Sequence, residues 1–281
     1  MKIVKQGQKQ LLGAAILGLM TPWIAAGGAL ERGISDRTPV EAGARHSPMI
    51  VHERHGRNAT SYNWSGYAIT GANGSVSHVK GSWKVPAIQG ACSSQNQYAS
   101  FWVGIDGYNS NTVEQIGTDS DCQNGSAVYY AWYEFYPHFS YNIPIAIHVG
   151  DAISAEVSYS GGKFTLSITD TTANESWSTS QKMPNAKRSS AEWVIEAPSS
   201  GGVLPLANFG TVDFGQDYTG VALSCDATVG GASGPIGSAA FASSLVEIAM
   251  VARDGTTVMS QPSGLSADET SFTDSWKSAV P

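Results

Sequence analysis

Charge is scarce in this chain. Asp, Glu, Lys and Arg make up 14% of its 281 residues, against about 25% in an ordinary soluble domain. The charges that are present sum to −7, which argues against a nucleic-acid partner, since such binders carry a basic surface. Cysteine is sparse as well: Cys92, Cys122 and Cys225 are the three in the chain. None lies in a CxxC or Cys/His spacing that would hold zinc, so no metal and no other cofactor is expected. An odd cysteine count in a secreted chain implies one disulfide and one free thiol, with the pairing left open. Past the N-terminal leader no apolar run is long enough to span a bilayer. No long segment repeats its apolar residues with helical period.

Familiar hydrolase signatures are missing too. There is no GDSGG, no GxSxG elbow, no Walker loop and no Asp-Thr/Ser-Gly of the pepsin type. His52-Glu53-Arg54-His55 is one residue short of HExxH, which sets its histidines at i, i+3 instead of the i, i+4 that a helical zinc site needs. The histidines of the body beyond residue 60, His78, His138 and His148, stand in no recognisable catalytic context.

Charge is also unevenly spread. Residues 1–60 hold eight Lys/Arg and four Asp/Glu, whereas the rest holds eight and nineteen. A basic leader therefore precedes an acidic body. MKIVKQGQKQ followed by LLGAAILGLM and the small residues of TPWIAAGGA has the three parts of a secretory signal peptide, with cleavage near Ala26–Ala29. Residues 1–29 are assigned to it, and the protein is expected to be secreted, either extracellular or periplasmic. Residues 30–58 are polar, rich in Arg and His, and without periodicity. They are read as a pro-segment whose basic groups meet an acidic cleft and release it as the carboxylates protonate. Residues 59–281 form the remaining domain.

That domain reads as β throughout. Phe101, Val103 and Ile105 alternate with Trp102, Gly104 and Asp106, and Phe164, Leu166 and Ile168 alternate with polar residues. Ile145, Ile147 and Val149 show the same spacing, as do Ile153, Ala155 and Val157. DAISAEVSYS and KFTLSITDTT, joined by Gly161-Gly162, read as a hairpin. Many short strands with Gly, Ser and Asn turns imply an all-β antiparallel sandwich, jelly-roll or concanavalin-like, of two curved sheets.

Strand periodicity also groups the unusual polar residues. In AEWVIE, Glu192, Val194 and Glu196 share a face, which sets the two carboxylates about 13 Å apart, too far to share a proton. Tyr130, Trp132, Glu134 and Tyr136 share another face, and Val113, Gln115, Gly117 and Asp119 a third. Trp102 and Asp106 complete a set of acids, amides and aromatics suited to a peptide or a sugar chain.

WVGIDG (102–107), QIGTD (115–119), AWYEFYP (131–137) and AEWVIE (191–196), with NWSGYA (63–68) and GSWKVP (81–86) upstream, resemble the glutamic peptidases of family G1, the eqolisins, in family order. The resemblance implies a β-sandwich endopeptidase active in acid, insensitive to pepstatin and free of metal. It implies a catalytic pair at Gln115 and Glu192, with Trp102, Asp106, Asp119, Trp132 and Glu134 supporting them and Glu196 as the alternative within AEWVIE. Tyr130 and Phe135 depart from the family pattern, where Asp and Trp are common. Glu192 as a carboxylate would take a proton from water, and the Gln115 amide would steady the oxyanion. Hydrogen bonds to Glu192 are expected to keep it ionised in acid. The expected partners are protein or peptide substrates and the chain's own pro-segment, with no nucleic acid or membrane, and the protein is expected to be a monomer. Two other readings fit the strand faces: a jelly-roll glycoside hydrolase using Glu134 and Glu192, and a non-catalytic lectin-like module.

Overall fold

The computed structural model describes residues 44–281. The signal segment 1–29 and residues 30–43 of the pro-segment lie outside the described residues. The β pattern folds into eighteen strands: β1 (Val51–His55), β2 (Asn58–Ser61), β3 (Trp64–Thr70), β4 (Val76–Lys84), β5 (Ser100–Ile105), β6 (Val113–Gln123), β7 (Ser126–Tyr136), β8 (Tyr141–Ile143) and β9 (Ala152–Ser160). The second half continues with β10 (Lys163–Asp170), β11 (Glu175–Gln181), β12 (Ser190–Glu196), β13 (Thr211–Gly215), β14 (Asp226–Val229), β15 (Ala232–Pro235), β16 (Leu245–Val251), β17 (Val258–Pro262) and β18 (Ser271–Trp276). The one α-helix among the described residues is a single turn, Gln216–Thr219, and none is long and apolar enough to cross a membrane.

The architecture is an antiparallel β-sandwich. One layer runs β8-β7-β6-β5-β12-β3-β16. The other runs β11-β10-β9-β4, with β14 and β15 beyond β4. The layers are not separate: β16 continues through β17, β18 and β13 to β4, so hydrogen bonding passes round one edge. The core lies between the layers and takes the alternate residues that the sequence marked as apolar, among them Phe101, Val103, Ile105, Trp193, Ile153, Val157, Phe164 and Leu166. Trp193 is fixed within it by an indole bond to the Lys80 carbonyl at 2.8 Å. Burying one such large side chain contributes roughly 2–3 kcal/mol.

The expected hairpin is β9–β10, with Ser160 opposite Lys163. Gly161 and Gly162 both have positive φ, 58° and 80°, which the two-residue turn matching strand twist requires. Cys92 and Cys122 form the disulfide, and Cys225 is the buried free thiol.

Two stretches differ from the sequence reading. Ile145, Ile147 and Val149 are not in a strand. Pro144 removes a donor at the start of that run, the Ile145 amide closes back on Ile143 O at 2.8 Å, and Val149 is exposed. The end of the leader is not shapeless either. β1 pairs with β2, and β2 runs parallel to β16, so ordered β-structure starts at Val51, ahead of the 58/59 boundary.

Candidate active site

The outer face of the β7-β6-β5-β12-β3 layer carries the polar and aromatic residues in three rows fixed by strand register. Ala68, Glu192, Gly104, Gln115 and Glu134 form one row. Gly66, Val194, Trp102, Gly117 and Trp132 form the next, and Trp64, Glu196, Ser100, Asp119 and Tyr130 the third. Three of the five fully buried tryptophans among the described residues, Trp64, Trp102 and Trp132, lie here and not in the main core, so the polar groups sit between apolar walls.

Glycine makes the gap in the first row. Gln115 and Glu192 are separated by Gly104 alone, about 10 Å across two strand spacings. A Cβ on Gly104 would stand 2.8 Å from Trp102 Cζ3 and 3.3 Å from Gln115 Cβ, so any side chain there would press on Trp102 and crowd Gln115. Gln115 Nε2 donates to Glu134 Oε2 at 3.0 Å, which sets the amide's orientation. Its Oε1 has no partner among the described residues.

The structure brings Trp102, Asp119, Trp132, Glu134 and Glu196 together around one group that the motif reading did not single out, His46 of the leader. Its ring lies flat on Trp132, with centroids 3.4 Å apart. Nε2 meets Ser100 Oγ at 3.0 Å and lies 3.6 Å from Asp119 Oδ1, while Nδ1 lies 3.6 Å from Glu134 Oε2. Burial alone would lower the His46 pKa, but these carboxylates outweigh it and raise it to about 10. The next residue, Ser47, donates its backbone N–H to Glu196 Oε1 at 2.8 Å, and Trp102 Nε1 donates to Glu196 Oε2 at 3.0 Å. Burial raises Glu196 to about 8 against the pull of His46, and burial also raises Glu134.

The leader reaches the Glu192 end too. Met49 N bonds to Gly107 O at 3.1 Å, and Arg54 Nη2 to Tyr108 O at 2.9 Å. Tyr108 packs in the apolar wall of the cleft. Here one expectation is corrected. Glu192 is fully buried, neither oxygen has a hydrogen-bond partner among the described residues, and its pKa is raised well above the ordinary carboxylate value. Burial is the main cause, with Asp106 and Glu114 adding to it, and the Ser190 side chain and Tyr108 backbone only partly oppose it.

Asp106 stands apart from the Gln115–Glu134 group. At φ 76° it turns the chain at the end of β5, and its carboxylate accepts from Arg188 N (2.7 Å), Ser189 N (2.9 Å) and Ser189 Oγ (3.1 Å). It thus anchors the segment entering β12, on which Glu192 sits. Sequence reasoning also passed over Glu114, a fully buried carboxyl whose oxygens both lack a hydrogen-bond partner among the described residues. The signal was legible: Glu114 shares the apolar face of its strand with Ile116. Among the described residues no cluster of three or more His, Cys, Asp or Glu could hold a metal ion.

Known proteins share this chain's sequence pattern and fold. The model of the Peptidase A4 family matches residues 62–237. Aspergillopepsin-2 of Aspergillus niger is 30% identical over 207 residues, covering 62% of this chain and 73% of that protein. Scytalidopepsin B of Scytalidium lignicola is 28% identical over 225 residues, covering 76% and 83%. The solved structure of scytalido-glutamic peptidase with a transition state analog inhibitor superposes with a TM-score of 0.61 at 22% identity, covering 77% of this chain and 98% of that one.

Proposed function

The chain belongs to the Peptidase A4 family, the glutamic peptidases its motifs resemble, and from that premise we propose that it is a secreted endopeptidase working in acid through Glu192 and Gln115. Peptide-bond hydrolysis follows from the family. The observation carrying the residue assignment is the row in which Gln115 and Glu192 face one another across a position with no side chain. In this reading the scissile carbonyl and the attacking water come between them once the leader has gone.

Glu192, ionised, takes the proton from water as it attacks the carbonyl. An N–H of Gln115 donates to the oxyanion, while the bond to Glu134 prevents the amide from turning away. Glu192 then returns the proton to the leaving amine. An amide suits this role in acid because it has no charge to lose. Pepstatin insensitivity fits the absence of an Asp-Thr/Ser-Gly pair.

In the leader-bound form Glu192 is buried, and burial holds it neutral, unfit as a base. Removal of residues 44–58 opens the row to solvent, lowers the desolvation penalty and lets Glu192 ionise. The leader is in this reading a pro-segment following a signal peptide, and the mature enzyme is a monomer acting on peptides without nucleic acid or membrane. A glycosidase pairing of Glu134 with Glu192 is disfavoured by their three-strand separation, about 14 Å, beyond the ~9.5 Å of inverting pairs.

The test is incubation of the purified protein with a denatured protein substrate across acid pH, with and without pepstatin. Pepstatin-resistant cleavage is expected. Gln115→Ala and Glu192→Gln should each abolish it while leaving the circular dichroism spectrum unchanged. Substantial activity in either folded variant would overturn the assignment.

A further inference from the structure

Behind Trp132 lies a proton arrangement that the proposed mechanism does not use. Tyr130 Oη is 2.8 Å from Asp119 Oδ2 and 2.9 Å from Asp121 Oδ2. A phenol has one proton to give, so it cannot satisfy two carboxylates at once. Asp119 is the better carboxylate: its other oxygen accepts the Trp132 indole N–H at 2.5 Å and faces His46. Asp121 accepts from Ala99 N at 3.1 Å and Gln123 Nε2 at 3.0 Å. It is fully buried beside the Asp119 charge, and both conditions favour its neutral form. The order that satisfies every group is Asp121–OH to Tyr130 oxygen, Tyr130–OH to Asp119, and Trp132 N–H to Asp119.

We propose that Tyr130 is a positioning residue of the substrate cleft: its single hydroxyl proton makes Asp119 and Asp121 share one acid proton, which fixes Asp119 as the carboxylate that orients Trp132. The charged and titratable groups around the unit are Asp119 and Asp121 from β6, His46 from the leader, and Glu134 and Glu196 beyond His46. The part of the proposal that concerns substrate rests on the reading of the Trp132 face as a peptide subsite; the proton arrangement does not.

The experiment follows the Trp132 indole N–H signal in the full chain labelled with 15N-tryptophan, identified by its loss in Trp132→Phe. A strongly downfield signal is expected in the wild type. Tyr130→Phe should move it upfield and, in the matured enzyme, raise KM for a peptide about tenfold, the scale of a lost hydrogen bond to a charged group, with little change in kcat. Asp121→Asn supplies a permanent donor to Tyr130. It should keep the signal at its wild-type position and remove the wild-type signal's shift as pH rises and Asp121 ionises. An unchanged signal and KM in Tyr130→Phe would overturn the proposal, as would an Asp121→Asn spectrum resembling Tyr130→Phe. If Tyr130→Phe does not fold, the wild-type titration and Asp121→Asn decide. If no peptide is cleaved, the functional reading fails while the indole signal still judges the proton arrangement.

Discussion

The imidazole of His46 and the indole of Trp132 are stacked 3.4 Å apart at 8° from parallel, so a leader residue occupies the aromatic floor of the cleft. Around it, Asp119 and Glu134 supply negative charge on two sides. This gives the basic leader and acidic body seen in the sequence a point of contact.

Release of that contact should depend on acid. The His46 pKa is raised to about 10, so its charge contributes fully below about 6.5 and is lost only as pH rises through about 10. Acidification therefore acts on the carboxylates, and Glu134, whose pKa is raised, protonates earlier than an ordinary glutamate. The purified precursor should mature faster at about pH 4 than at about pH 7, and His46→Ala should narrow the difference. Equal rates for the wild-type precursor, followed by gel and N-terminal sequencing, would remove this account.

Gly104→Ala should cripple catalysis without unfolding the sandwich. The added methyl meets Trp102 and crowds Gln115. A misplacement of about 1 Å in a reacting group costs about 100-fold in kcat/KM. Wild-type kinetics in the folded variant would show that the row is not the reaction site.

Stability should be greatest in acid. Glu114, Glu196 and Asp274 have folded-state pKa values raised by burial to about 9, 8 and 7. The folded state then holds protons that the unfolded chain releases near about pH 4, so stability falls as pH rises from there toward these values. The melting temperature should decline between about pH 4 and pH 8, and Glu114→Gln should flatten the decline. A Tm that rises over that range would contradict the assignment.

The Cys92–Cys122 bridge closes a 30-residue separation, for which chain entropy gives roughly 3–4 kcal/mol. Replacing both cysteines by serine should lower the urea midpoint accordingly, while Cys225→Ala at the buried free thiol should have a smaller effect. Equal midpoints for the double variant and the wild type would show that the bridge contributes nothing.

Sequence by itself determined the β class, the β9–β10 hairpin and the strand faces. Period-two alternation assigns side chains to one face or the other whatever the strands later pair with. Motifs in family order also singled out Gln115, Glu192 and their neighbours as the candidate site. Tertiary structure alone decided how those faces stand side by side, because register between strands distant in sequence is set by packing and not by local pattern. Only the fold sets Gly104 between Gln115 and Glu192, seats His46 on Trp132, and surrounds Glu192 with apolar walls. That last point reversed the expectation of a lowered pKa, since burial is a property of the assembled layers. The scarcity of charge acquires its meaning there too. Glu114, Glu192, Glu196 and Asp274 are buried with raised pKa values, so low pH keeps them neutral and folding loses least.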